Sequence, residues 1–454
     1  MSNFSQKHTK ISSLYLLNED PPRMELELLH HSKWKKAVLI IPLLASEFTE
    51  PENRPVFENI VEHLSSAGYL SQIIFGLDRA TEDHACELAG ILNRYKVQNY
   101  LIQHNDGPGF SSIYNKLSEA GFRLDDPGKG RNMFMSFGIA LALGAHTIGL
   151  VDADIRTFGR DQLDRLFYPV QVLNYQFSKA FYARIKDGQF YGRVKRLLLD
   201  PLLISLKRKF TETQEEKVLR LVDFLLTFNY QLSGEVVFDS QLLKRMQFAT
   251  NWGVEIFTLI EVYRKATTCA QVEISRDPFD HKHQPVSEDD RTKGLYKMGI
   301  DIVTTLLAAL VVEEGLAISE HFFRDLTTTY LSVADDLIKM YADNAAYCGL
   351  SYDTNLEEAM VDNVFKNVIL FAGDQLLSPA FMARRFSSYA SEYEDFKPFI
   401  DQGLLAVIEK TSRNVKTEIY ETPKTVSWER VMRKLPSIIN EIIDVVEREK
   451  KLYR

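Results

Sequence analysis

This sequence predicts an α/β fold: a Rossmann-like, mostly parallel, doubly wound sheet followed by a helical C-terminal extension. Short continuous apolar runs alternate with stretches of helical spacing over roughly the first 150 residues. Strand signals vanish beyond about residue 290, where only amphipathic helical patterns remain. At 454 residues the chain is also too long for one ordinary core, so a domain carrying a substantial addition is expected.

The elements follow in order. After a polar leader, Ala37-Val-Leu-Ile-Ile-Pro-Leu-Leu44 is a continuous apolar run, as expected of a strand covered on both faces. Pro51 to Ala67 has helical spacing at Val56, Ile60 and Leu64; Tyr69 to Phe75 reads as a second strand, Glu82 to Tyr95 as a helix and Asn99 to Gln103 as a third strand. A turn at Gly107 to Gly109 opens another helix. Arg131 to Leu143 is a longer helix with Met133, Phe137, Ala140 and Leu141 on one stripe, and Thr147 to Val151 is a fourth strand. From Phe177 to Ile274 the pattern is mixed: Ser178 to Ile185 and Cys269 to Ile274 read as strands, Lys195 to Phe228 as mostly helical. Arg291 to Val312, His321 to Ala342, Leu356 to Phe371 and Val426 to Lys450 read as amphipathic helices. The expected plan is a leader over residues 1–36, an α/β domain over 37–290 and a helical region over 291–454 for packing or oligomerisation.

Composition narrows the function classes. Hydrophobic residues at 45% and charged ones at 26% are ordinary for a globular protein. No charge-free apolar run reaches the roughly 18 residues a spanning helix needs, and Met1 to Asp20 lacks a signal peptide's apolar centre. A cytoplasmic protein without a membrane partner is expected. Cys86, Cys269 and Cys348 are too scattered for a disulfide framework or a zinc cluster. A net charge of −8 argues against a nucleic-acid partner held by general phosphate attraction, so an anionic substrate would need a local basic pocket.

Four segments carry candidate chemistry. Val151-Asp-Ala-Asp154 closes an apolar strand, where ligands of doubly wound sheets bind. Its carboxylates suit a hard divalent cation bridging the diphosphate of a nucleotide-sugar. Asp-x-Asp also recurs by chance as a solvated loop; its position favours the functional reading. Pro127-Gly-Lys-Gly-Arg131 directly precedes a helix, so its glycines permit close backbone approach while Lys129 meets an anion at the positive helix end. It lacks P-loop spacing, and a plain turn into the helix explains it about as well. Phe279-Asp-His-Lys-His283 offers two imidazoles just after a strand, either able to complete an Asp/His metal site or to sit in a polar loop. Tyr191-Gly-Arg193-Val-Lys195-Arg196 supplies a local basic cluster for an anionic acceptor, against the plainer reading of a solvated helix start.

Taken in order, Ile41-Pro-Leu-Leu44 with Glu47, Gly128-Lys-Gly130, Val151-Asp-Ala-Asp154, Gly192-Arg-Val194 with Pro201-Leu-Leu203, Ser233-Gly-Glu235, Gly253-Val-Glu-Ile256 and His281 resemble the glucosyl-3-phosphoglycerate synthases of glycosyltransferase family 81. The series spans residues 37 to 285. The resemblance implies a GT-A fold and retaining transfer of glucose from UDP- or GDP-glucose to the 2-hydroxyl of 3-phosphoglycerate, a small phosphorylated acid, with Mg2+ or Mn2+ and a homodimer. Related readings are the same enzyme class with mannose or glycerate, or a sugar nucleotidyltransferase, although the latter's glycine-rich signature is absent after Pro42. By matching position, Pro42, Leu44 and Glu47 would meet the base, and Gly128, Lys129, Asp152, Ala153, Glu235 and Glu255 the rest of the donor. Asp78 joins them in Gly76-Leu-Asp78-Arg-Ala-Thr81, which stands where an Asp-x-Gly-Ser type segment is common. Asp154, with His281 or His283, would bind metal; Gly192, Arg193 and Lys195 would hold the acceptor; Asp154, Glu255 and Lys129 would carry catalysis.

Overall fold

The computed structural model describes residues 6, 8–18, 20–122, 124, 128–281, 294–378 and 425–453. The chain forms two compact units, one of residues 1–191, 227–283 and 425–454, the other of residues 192–226 and 284–424. Both outer limits of the expected plan therefore change. The leader is not separate, because Ile11–Leu14 adds an edge strand to the sheet. Its Ile-Ser-Ser-Leu segment holds too few apolar residues to announce a strand, and pairing alone supplies the partner that makes it one. Residues 425–453 return to the first unit rather than ending the helical one.

The first unit is built on eight strands: β1 (Ile11–Leu14), β2 (Ala37–Leu44), β3 (Leu70–Asp78), β4 (Tyr100–His104), β5 (Thr147–Leu150), β6 (Phe177–Phe181), β7 (Val236–Asp239) and β8 (Cys269–Glu273). Their order is β1-β8-β6-β7-β5-β2-β3-β4. All neighbours pair in parallel except β7, which runs antiparallel to both β5 and β6. Sequence periodicity anticipates β2 to β6 and β8, whose apolar runs are buried, but not β7: Val236-Val-Phe is too short to stand out. The expected strand from Ser178 to Ile185 stops at Phe181, and Ile185–Lys186 instead pairs with Gln189–Phe190 in a separate hairpin.

From β2 the chain steps outward to β3 and β4, then returns to place β5 on the other side of β2. Here the strand order reverses, leaving a crevice beyond the carboxyl ends of β2 and β5. Leu150 lies opposite Ile40, and Val151 N–H donates to the Ile40 carbonyl at 3.1 Å, so the chain is still tied to the sheet one residue before Asp152. Helix Lys129–Ala142 starts beside this crevice and is buried almost throughout.

The C-terminal return covers that helix. Trp428 is fully buried, its indole stacked on Phe134 with centroids 4.7 Å apart and its Nε1–H donating to the Phe134 carbonyl at 2.8 Å. Gly138 makes the fit possible, since a Cβ there would lie 2.0 Å from the Trp428 ring. Helix Ile438–Leu452 then places Glu449 against Gly109 with one carboxylate oxygen buried and without a hydrogen-bond partner. Burial and the neighbouring Glu82 push its carboxyl up to about 7, with Arg448 opposing weakly. The folded state thus binds this proton more tightly than the unfolded chain, and its stability falls as pH rises from the ordinary carboxylate range to about 7. Glu449→Gln is expected to melt like the parent at pH 5 and about 3 °C higher at pH 8; equal melting temperatures at both pH values would refute this.

The second unit is helical in its described part, with helices Asp200–Thr213, Gly294–Glu313, Glu320–Cys348, Thr354–Met360 and Lys366–Leu377. Arg196 is its central polar contact, reaching both oxygens of buried Glu357 at 2.7 and 2.8 Å beneath the Tyr341 ring. Among the described residues one helix is long and apolar enough to cross a membrane by composition, at residues Gly294–Val312, yet 78% of that stretch is buried inside the protein, as in a core helix.

Candidate active site

Four chain segments meet over the crevice. The first is the loop after β5, which carries Asp152 and Asp154. The second is the start of helix Lys129–Ala142, where Gly128 is the residue before the first turn and Lys129 the first within it. The third carries Glu235, immediately before β7, and the fourth Glu255, in the first turn of helix Val254–Lys265.

Lys129 ties the loop after β5 to helix Val254–Lys265. Its Nζ lies 2.8 Å and 3.0 Å from the two oxygens of Asp152 and 2.9 Å from Glu255 Oε1. Burial works against its charge, but the two carboxylates outweigh that cost and hold the ammonium above its ordinary pKa. Gly234 is required here: a Cβ would fall 2.3 Å from Asp152 Oδ2. Gly130 packs on the backbone of Ala249 and Thr250, whereas a Cβ on Gly128 would meet open space.

Asp154 belongs to a second cluster. Ile155 pairs antiparallel with His281, which brings His281 Nδ1 to 3.5 Å from Asp154 Oδ1. On the ring's other side, Nε2 lies 3.1 Å from the Tyr182 hydroxyl and 3.8 Å from Glu235 Oε1. Burial raises the Asp154 pKa, but the His281 imidazole and the charges of Lys129 and Arg184 outweigh it and hold the carboxyl below its ordinary range. Glu235 is 1% exposed, and burial pushes its carboxyl up against the pull of His281.

These groups fit a divalent cation. Asp154 Oδ1 and Glu235 Oε1 are buried without a hydrogen-bond partner, an arrangement that is costly unless something else satisfies them. Ligand atoms of Asp152, Glu235 and His281 all lie within 4.8 Å of one another. Carboxylate oxygens with one imidazole suit Mg2+ or Mn2+. Of the two histidines singled out in the sequence, His281 stands at this cluster, and His283 lies outside the described residues.

The remaining expected residues divide into two groups. Pro42, Leu44 and Glu47 line the end of β2 and the short helix after it, on the rim of the same crevice. Asp78 closes β3 and is buried, accepting from Asn105 Nδ2 at 3.3 Å while its other oxygen has no partner. Ala153 is buried between the two aspartates. Gly192, Arg193 and Lys195 belong to the second unit. Gly192 has φ +74°, a left-handed conformation that favours glycine directly before Arg193. The basic cluster is less free than its sequence implies: Lys195 pairs with Asp200, and Arg193 Nε lies 3.8 Å from Glu357 Oε1.

Sequence reasoning missed Lys179, Tyr182 and Arg184. Lys179 is fully buried on β6, donates to the Ser233 carbonyl at 2.6 Å and, with Glu255, Gly234 and Met133, lines a small cavity. Burial depresses its ammonium to about 8, while Glu255 and Glu235 pull the other way. A lysine within the apolar run Phe177-Ser-Lys-Ala-Phe181 was the available clue, because a charge in a doubly covered strand must have a partner. Tyr182 and Arg184 follow that strand and carried no comparable clue.

A mostly parallel sheet with carboxylates, an imidazole and a helix-terminal lysine at its switch point defines an α/β enzyme site built for an anionic, nucleotide-type ligand. No family model matches the chain. It is 35% identical over 392 residues to the glucosyl-3-phosphoglycerate synthase of Persephonella marina, covering 84% of this chain and 94% of that one. The synthase of Methanococcoides burtonii is 34% identical over 345 residues, covering 75% of this chain and 82% of that one. A crystal structure of the Mycobacterium tuberculosis enzyme, in complex with Mn2+, UDP-glucose and phosphoglyceric acid, aligns with TM-score 0.47 and 20% identity over 68% of this chain and 89% of that one. The chain belongs to the glucosyl-3-phosphoglycerate synthase family.

Proposed function

We propose that this protein is a retaining, metal-dependent hexosyltransferase that moves glucose from a nucleoside-diphosphate glucose to the 2-hydroxyl of 3-phosphoglycerate. The observation that carries the reading is the Lys129 bridge from the strand-end Asp152 to Glu255, 2.8 and 2.9 Å long, beside the Asp154 and His281 pair. Family membership supplies the sugar and the acceptor.

Asp154 and His281 hold Mg2+ or Mn2+, which supplies Lewis-acid stabilisation of charge on the departing diphosphate. Lys129 adds a fixed cation at the helix N-terminus, placed to favour the same charge without reorganisation. Its ion pairs also orient Asp152 toward the donor's ribose or sugar and Glu255 toward the transferred glucose. Pro42, Leu44, Glu47 and Asp78 line the base side. No covalent nucleophile is needed: attack on the face the diphosphate leaves lets that phosphate accept the hydroxyl proton. Arg193 and Lys195 take the charged groups of the acceptor, a role supported by the Gly192-Arg-Val194 motif. The reading also takes the protein as a cytoplasmic homodimer making a compatible solute.

The test is to measure donor consumption with UDP- and GDP-linked glucose and mannose against 3-phosphoglycerate and glycerate, with and without Mg2+. The expected outcome is metal-dependent consumption of a glucose donor with 3-phosphoglycerate, and a several-fold higher acceptor KM but unchanged donor KM in Arg193→Ala. Turnover with mannose or glycerate alone would sink the substrate assignment, and a donor-only defect in Arg193→Ala the acceptor one.

A further inference from the structure

Behind the imidazole of His281 stands a buried pair whose chemistry the transfer reaction does not itself use. Tyr182 follows β6, with its ring stacked on Phe279 at 3.8 Å between centroids and tilted against Tyr230 at 5.1 Å. Its hydroxyl donates to Glu235 Oε2 at 2.7 Å and lies 3.1 Å from His281 Nε2. A phenol has one proton to give. With that proton on Glu235, the contact to His281 is made the other way, from Nε2–H to the phenol oxygen. A neutral imidazole protonated at Nε2 has its lone pair at Nδ1, the nitrogen 3.5 Å from Asp154 Oδ1. That oxygen is buried and accepts no hydrogen bond. Two lone pairs then face each other with no proton between them, which is unfavourable by itself and favourable around a cation.

We infer that Tyr182 and Glu235 are positioning residues: their hydrogen-bond chain takes up the Nε2 proton of His281 and so presents Nδ1, beside Asp154, as a metal ligand. The inference rests on the metal reading above and adds how the imidazole is prepared for it. It also gives Glu235 a place. At 1% exposure, with Oε2 accepting from Tyr182 and the unpartnered Oε1 3.8 Å from Nε2, the nitrogen opposite the one beside Asp154, this carboxylate is assigned to the histidine rather than to the donor sugar or the metal itself. The rings around Tyr182 fix the phenol's direction, so the chain is held by packing as well as by hydrogen bonds.

The test uses the full chain without substrates. Mn2+ alone is titrated into the parent, Tyr182→Phe, Glu235→Gln and Asp154→Ala, and free Mn2+ is read by electron paramagnetic resonance. Tyr182→Phe keeps the stacked ring and is expected to melt near the parent temperature while binding Mn2+ about tenfold more weakly. Glu235→Gln keeps an acceptor for the phenol proton, so it is expected to lose less than Tyr182→Phe. In 15N-histidine-labelled protein with Mg2+, the resonance missing from His281→Asn is expected in the Nε2–H form. Parent-like Mn2+ affinity in Tyr182→Phe, or an Nδ1–H form with Mg2+ bound, overturns the inference. So does a larger loss in Glu235→Gln than in Tyr182→Phe, which would make Glu235 a direct ligand. Unchanged binding in Asp154→Ala instead overturns the metal reading itself, and the two failures are therefore separable.

Discussion

Asp154→Ala is expected to lower metal-dependent turnover by at least about a thousandfold while leaving the fold intact. The carboxylate is held at the cluster by its polar surroundings rather than by packing: Oδ1 has no hydrogen bond, and the His281 imidazole lies 3.5 Å away. Truncation therefore removes a ligand without opening a core cavity, and unfolding by circular dichroism is expected to match the parent. Initial rates across Mg2+ and Mn2+ concentrations measure the effect. Unchanged activity in the purified variant would remove Asp154 from the metal.

Lys129→Met is expected to show the second-largest effect, and unlike the first it costs stability as well as rate. Its ammonium lies within 3.0 Å of Asp152 and 2.9 Å of Glu255, so deletion leaves two partly buried carboxylates facing each other. Removing one partner of a buried ion pair costs roughly 3–5 kcal/mol. With Asp152 and Glu255 side chains 22% and 14% exposed, water and protonation relieve part of that, and the lower end is expected. Losing a fixed cation aimed at developing charge costs about a hundred- to a thousandfold in kcat. Denaturant unfolding and single-turnover rates at saturating metal check both parts. A variant with parent-like kcat and reduced stability would leave Lys129 a purely architectural role.

The strands that carry the site were legible because β2, β3 and β5 are covered on both faces and so spell continuous apolar runs. Asp152, Asp154 and Lys129 could be singled out for a related reason: they stand where such a run ends or a buried helix begins, the places where ligands of doubly wound sheets bind. The antiparallel β7 was not legible, since its three apolar residues gain their meaning from β5 and β6 beside them. Nor was the Tyr182, Glu235 and His281 cluster, whose members lie up to 99 residues apart and meet only through the sheet. Arg193 and Lys195 show the opposite error: a basic run in sequence looks free until the acidic partners Glu357 and Asp200 are in place.

The return of residues 425–453 to the first unit sets the timing of biosynthesis. Helix Lys129–Ala142, on which Lys129 is mounted, leaves the ribosome with the face around Phe134 and Gly138 uncovered, because Trp428 has yet to be made. At about 5–20 residues per second the wait lasts tens of seconds. The apolar groove is exposed to chaperones or aggregation throughout that interval, so a premature stop before residue 428 would damage the catalytic unit from a distance in sequence. The N-terminal half, expressed alone to obtain a minimal transferase, would carry the same defect permanently.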